Sequence, residues 1–134
     1  MIPLFLIRRS LLANSDKLGK WGERYCELLL KRKGFKGIAR NFSIYNGEID
    51  LIMADGETII FVEVKTRANE NFAKAQDSVD RVKQQKIIKA AKYFIGKYGL
   101  RGKVFRFDVA AVVLGAKSKP EFRYYENAFS RFGR

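Results

Sequence analysis

Between residues 38 and 66 the chain carries three strand-forming runs separated by two short turn signals, and nothing else in the sequence limits the fold as strongly. Asn46-Gly47 and Asp55-Gly56 are strong hairpin signals, because their residues adopt positive φ at little cost. The runs 38–45, 48–54 and 57–66 therefore read as an antiparallel meander. Upstream, Leu18, Trp21, Tyr25, Leu28 and Leu29 recur at helical spacing over 17–32, a pattern that ends at Gly34. Downstream, a helical period over about 75–98 ends near Gly99, and strand signals follow at 103–114 and 122–129. The third strand, the long helix and the fourth strand make the pattern of a right-handed βαβ crossover. The expected class is α/β, a mixed sheet flanked by helices.

The chain's 134 residues fit one domain, expected over 17–134 after an extension over 1–16. With 47% hydrophobic residues it can bury a core. Residues 1–7 are apolar, but Arg8 and Arg9 follow the run instead of preceding it, and the run is too short to span a membrane. A helix or strand packed on the core, or a loose tail, accounts for it, and the expected location is cytoplasmic with no membrane partner. Lys plus Arg number 27 against 14 acidic residues, a net charge of +13. That surplus favours polyanionic partners through salt-dependent phosphate contacts. Histidine is absent and Cys26 is the single cysteine, which excludes Ser-His and Cys-His mechanisms, His-ligated zinc and an internal disulfide. Cys26 falls inside the first helical pattern and reads as a small buried hydrophobe. Chemistry is left to carboxylates, lysines, hydroxyls or a bound metal.

Those groups concentrate in two adjacent strands, Gly47-Glu48-Ile49-Asp50-Leu51-Ile52 and Phe61-Val62-Glu63-Val64-Lys65-Thr66-Arg67. Side chains alternate along a strand, so Glu48 and Asp50 are expected on one face, as are Glu63 and Lys65. If Asp55-Gly56 is a two-residue turn, Asp50 and Glu63 are diagonal neighbours, roughly 7–8 Å apart at the backbone. A four-residue loop over 55–58 would set them directly opposite. Alternating charges on a strand commonly form a solvated face. Here Ile59 and Phe61 share the Glu63 face while Ile60, Val62 and Val64 fill the other, the mark of a covered central strand. Carboxylates there repel unless paired, and a hard divalent cation such as Mg²⁺ or Mn²⁺ resolves the repulsion, taking one or two carboxylates plus phosphate oxygens. Lys65 could orient or deprotonate a water, or neutralise charge at phosphorus.

GEIDLI followed by FVEVKTR resembles the PD-(D/E)XK, restriction-endonuclease-like superfamily, with Ile49-Asp50 in place of Pro-Asp. The wider order resembles the YraN family of small bacterial proteins. It adds Gly19-x-x-Gly22-Glu23, Arg40-Asn41, Val79 and Lys83, Ala90-Ala91 and Arg106-Phe107-Asp108, spanning about 19–129. Cys26 stands where relatives usually carry alanine. The resemblance implies a nuclease-like fold related to archaeal Holliday-junction resolvases. It assigns Asp50 and Glu63 to the metal, Lys65 to the water, and Glu23 as the helix-borne catalytic carboxylate. On its helical wheel Glu23 borders the apolar stripe, a position that serves the site or the solvent line equally. The implied reaction is endonucleolytic hydrolysis of DNA, branched DNA included and DNA favoured over RNA, by a chain compatible with a homodimer.

Between Arg81 and Phe107 stand nine basic residues and no acidic one. Most point away from the helix's apolar arc of Val79, Val82, Ile87, Ala90, Ala91 and Phe94, but Lys83 and Lys86 fall inside it. Arg67, Lys83, Lys86 and Lys89 are the candidate nucleic-acid contacts. Asp108, alternating with Arg106, is expected in a structural ion pair or a loop-capping hydrogen bond and not on a metal. The aromatics at 122–125 fit either base stacking or core packing. Three functions remain open: a metal-dependent endonuclease, a non-catalytic nucleic-acid-binding module on the same fold, and a partner-binding protein.

Overall fold

The computed structural model describes residues 4–69, 79–115 and 119–130. In chain order the elements are α1 (Leu4–Ala13), α2 (Ser15–Arg32), β1 (Lys36–Ile44), β2 (Gly47–Asp55), β3 (Thr58–Arg67), α3 (Arg81–Lys97), β4 (Val104–Val113) and β5 (Glu121–Phe129). The strands form one mixed five-stranded sheet in the order β1-β2-β3-β4-β5. All neighbours are antiparallel except β3 and β4, which run parallel on either side of α3 in sequence. The α/β class, the meander and the parallel pair agree with the sequence reading. The apolar start forms α1, which packs on α2.

Both faces of the sheet are covered. Cys26 and Leu30 of α2 bury Leu51, Met53, Ile60, Val62, Val64, Ala110 and Val112 on one side. Ile87, Ala90, Ala91 and Phe94 of α3 bury Ile49, Ile52, Ile59, Phe61, Phe107 and Val109 on the other. The central strands β3 and β4 are therefore apolar on both faces, as parallel strands require. The inner line of α2 runs through Gly22, Cys26 and Leu30, with Trp21 and Tyr25 at its flank.

Three sequence expectations need correction. The helical period over 75–98 is observed as Arg81–Lys97, where the Asp80 side chain caps the first turn by accepting from the Lys83 amide; 75–78 lie outside the described residues. Val82, placed in the apolar arc, is 65% exposed, because the buried side of α3 is centred on Gln84, Ile87, Ile88 and Ala91. Both hairpin turns sit one residue from where the dipeptides put them. Ile44 pairs with Gly47, so the first loop is Tyr45-Asn46, with Asn46 at φ 63°. Asp55 pairs with Thr58 around Gly56-Glu57, which gives the register of the longer-loop alternative. Gly47 is spared for the strand for a steric reason: a Cβ there would lie 2.8 Å from the Lys86 carbonyl oxygen of α3.

Candidate metal and phosphate site

The site forms where β2 and β3 part. Their pairing runs from Asp55–Thr58 to Leu51–Val62 and is not continued beyond. In place of the next ladder bond, the Val64 amide donates to Asp50 Oδ2 at 2.8 Å. Side-chain alternation slips at this point. Ile49 and Ile52 both pack in the α3-side core, and so do Phe42 and Ala39 on the neighbouring strand. Between the latter pair Asn41 takes φ 49°, a left-handed conformation that asparagine tolerates better than most residues. The expectation that Glu48 and Asp50 share a regular face is therefore replaced: Glu48 is exposed at the strand's start, and Asp50 turns into the fork toward β3.

Glu63 is 3% exposed and meets Asp50 within hydrogen-bonding reach. Two ammonium groups converge on its Oε2, Lys65 at 3.4 Å from the same strand and Lys83 at 3.2 Å from α3. That oxygen nevertheless makes no well-formed hydrogen bond. Burial, and then the charge and hydrogen bond of Glu63, push the Asp50 carboxyl up to about 9. Burial works against the charge on Lys83, but the Glu63 carboxylate outweighs it and holds the ammonium above the ordinary lysine range. Two carboxyls thus share a site that comfortably ionises only one of them.

Helix α2 closes the opposite side. Gly22 lies so close to β3 that a Cβ would sit 1.9 Å from Thr66 Oγ1, and this contact brings the adjacent Glu23 to the site's border. There Glu23 accepts from Asn41 Nδ2 at 2.9 Å. Burial raises its pKa, the Asn41 hydrogen bond opposes the rise, and the charges of Glu48 and Glu63 add to it. Glu23 is therefore half-buried at the cluster's border, where it adds to the cluster's electrostatics and is held by Asn41.

The remaining sequence candidates separate. Lys83 and Lys86 line a cleft of ≈ 290 Å³ together with Ser43, Ile44, Asn46, Gly47 and Glu48. Lys86 itself is exposed, at the edge of the arc it was expected to enter. Lys89 is also exposed on α3, and Arg67 is half-buried with its guanidinium donating to the Thr66 carbonyl. Asp108 is a structural anchor, as expected. It is fully buried and accepts from Arg106 Nε at 3.0 Å, the Tyr124 hydroxyl at 2.5 Å and the Asn127 amide at 2.9 Å. Phe122 and Tyr124 pack on the α2-side core, which settles the tail aromatics as core.

Glu27 is the charged residue that the sequence reading missed. It is buried between Arg40, at 2.7 Å, and Lys31, at 3.1 Å. Burial opposes its ionisation, and these two cations overcome it and hold the carboxyl below the ordinary range. Its signal was faint, since Glu27 and Lys31 at helical spacing read as a solvated pair.

A hard cation fits this donor set. Glu63 Oε2, which has two ion pairs but no well-formed hydrogen bond, and the Asp50 carboxyl crowded against it are oxygen donors that a divalent ion would draw together. Among the described residues no group of three or more His, Cys, Asp or Glu side chains could hold an ion alone. Water and substrate oxygens would complete the shell, the ordinary habit of Mg²⁺.

Comparison with known proteins bears on the same stretch. Residues 22–112 match the family described as Uncharacterised protein family UPF0102. A UPF0102 protein of Alkaliphilus metalliredigens is 40% identical over 86% of this chain and 99% of its own length. Those of Dictyoglomus turgidum, 38% identical over 87% of this chain, and Hahella chejuensis, 39% identical over 89%, are matched over 99% and 94% of their lengths. The matched segment contains every residue of the strand fork, and the chain belongs to the UPF0102 family, the YraN-like group that its motifs resemble.

Proposed function

We propose that the chain is a divalent-metal-dependent endonuclease that hydrolyses phosphodiesters of nucleic acid, DNA before RNA. The observation that carries this reading is the meeting of Asp50 and Glu63 in the strand fork with Lys65 and Lys83 directed at the same carboxylate. Asp50 and Glu63 would hold Mg²⁺ or Mn²⁺, which supplies charge neutralisation at the phosphoryl group and an acidified water. Lys65 keeps a cation beside the place where water must be oriented and where negative charge grows at phosphorus. The water oxygen bonds to phosphorus in line as the bond to the leaving sugar oxygen breaks, with Glu23 near enough to the cluster to take part in proton movement. Lys86, exposed in the adjoining cleft, would bind the neighbouring phosphate.

One observation favours a second reading, a nucleic-acid-binding module without cleavage. The chain's own residues balance the cluster's charge, with two ammoniums on Glu63 and burial holding the proton on Asp50 at neutral pH. A labelled panel of duplex, single strand, flap, four-way junction and RNA, incubated with Mg²⁺ or Mn²⁺, decides between them. Cutting of any member that EDTA abolishes supports the endonuclease. Retention of the panel without cutting supports the module.

A further inference from the structure

The hairpin between β1 and β2 presents a feature that the fold does not use. Tyr45, at its tip, is 92% exposed, the most exposed large hydrophobic residue among those described. An exposed aromatic alone is ordinary on a protein surface. This one is distinguished by its mounting and its neighbours. It occupies a two-residue loop whose other member, Asn46, is fixed at φ 63°. Immediately after it, Gly47 is clamped to α3, with so little space that a Cβ would meet the Lys86 carbonyl oxygen at 2.8 Å and the Ala90 side chain at 3.3 Å. The ring is thus carried on a hairpin tip anchored to the helix that bears Lys83 and Lys86.

Ile44 and Asn46, the residues on either side of Tyr45, line the ≈ 290 Å³ cleft that Lys83 and Lys86 also line. Lys83 continues inward to Glu63 at 3.2 Å. Lys86 makes no ion pair among the described residues and is available to a phosphate. A flat aromatic face, a cationic cleft and the carboxylate fork therefore follow one another along a single path. This is the combination that single-stranded nucleic acid recognises, with phosphates in the basic groove and bases stacked on aromatic faces. A base kept in a continuous duplex has both faces covered by its neighbours, so only an unpaired or displaced base can use the ring.

Resting on the nucleic-acid reading above, we infer that Tyr45 is a stacking platform for an unpaired base whose adjoining phosphate lies in the Lys86 cleft. The site then selects strands with unpaired bases, such as single strands, flaps and junction arms, over continuous duplex.

The test is metal-free fluorescence anisotropy with EDTA present, so that it does not depend on hydrolysis. The probes are labelled oligo(dT) and an abasic strand of equal length, which offers the same phosphates and no bases. Tyr45→Ala is expected to weaken oligo(dT) binding about fivefold or more, the scale of one lost base stack, and to leave abasic binding unchanged. Tyr45→Phe, which keeps the ring, retains oligo(dT) binding, and Lys86→Ala weakens both probes alike. Equal oligo(dT) affinity for wild type and Tyr45→Ala overturns the inference while leaving the strand-fork chemistry untouched. Wild type that retains neither probe also overturns the inference; retention of a duplex in the same buffer then keeps the nucleic-acid reading, and loss of the duplex as well removes both. Because the side chain touches little of the fold, both Tyr45 variants are expected to melt with wild type.

Discussion

The electrostatics of the strand fork turn on Asp50. Its carboxyl is pushed up to about 9 in the fold, whereas in an unfolded chain it ionises near the ordinary carboxylate value. Between those two values unfolding releases a proton, so the metal-free protein loses stability as pH rises through that window and levels off above it. Asp50→Asn removes the proton from this balance. We expect the variant to be more stable than wild type at neutral pH by on the order of 1–3 kcal/mol and to show a flatter pH dependence, measured by urea unfolding in EDTA. Lys83 makes a complementary case, because its ammonium stands beside the Glu63 oxygen that a divalent ion would use. Lys83→Met is expected to tighten Mn²⁺ binding in titration calorimetry; weaker binding would show that the lysine assists the ion instead of competing with it. Asp50, Glu63 and Lys65 were legible in the sequence because two strands of known polarity carry them at alternating spacing. Lys83 was legible as a lysine inside an apolar arc and as part of the motif order that the resemblance rests on, but which carboxylate it reaches was not. Glu27 was not, because its burial comes from β1 crossing α2 at Gly37, a contact distant in sequence.

Among the elements, the tightest constraint is α2 on β3. Gly22→Ala forces a methyl group into Thr66 and is expected to cost about 1–3 kcal/mol. The double variant with Thr66→Ala should recover part of that loss in urea unfolding, since it removes the Oγ1 and Cγ2 contacts while Thr66 Cβ, 2.8 Å from the new methyl, remains. No recovery would place the strain elsewhere. At the sheet's other side, Asp108 joins β4 to β5 through Arg106, Tyr124 and Asn127. Asp108→Ala leaves the half-buried Arg106 guanidinium with the exposed Glu126 at 3.7 Å and takes the acceptor from the Tyr124 hydroxyl, and about 3–5 kcal/mol of destabilisation is expected. Element types and order could be read from periodicity and turn chemistry. The turn positions could not, because Gly47 is reserved for close approach to α3, a tertiary demand that overrides the local Asn-Gly preference. The slip of alternation at Asn41 and Asp50 was equally invisible, since it depends on how two strands share one fork.

For the whole molecule, the decisive property is where +13 net charge is spent. Arg40, Lys31, Lys65, Lys83 and Arg106 are paired with acidic side chains. Lys86, Lys89 and Lys92 on α3 are exposed and make no ion pair among the described residues. On the proposed reading the polyanion lies along this helix beside the strand fork, and no helix of the described residues is long and apolar enough to cross a membrane. Charge and fold are compatible with a binding module as well as a nuclease, so the central claim rests on what the fork does to a bound strand. The most direct measurement is the single-turnover cleavage rate and the equilibrium affinity, on the same labelled substrate, for wild type, Asp50→Asn and Lys65→Ala. The account predicts metal-dependent cutting that falls at least about 100-fold in both variants while affinity changes little, the signature of groups that act on the transition state. Cutting that survives in both variants, or wild type that binds the substrate and never cuts it with Mg²⁺ or Mn²⁺, would contradict it.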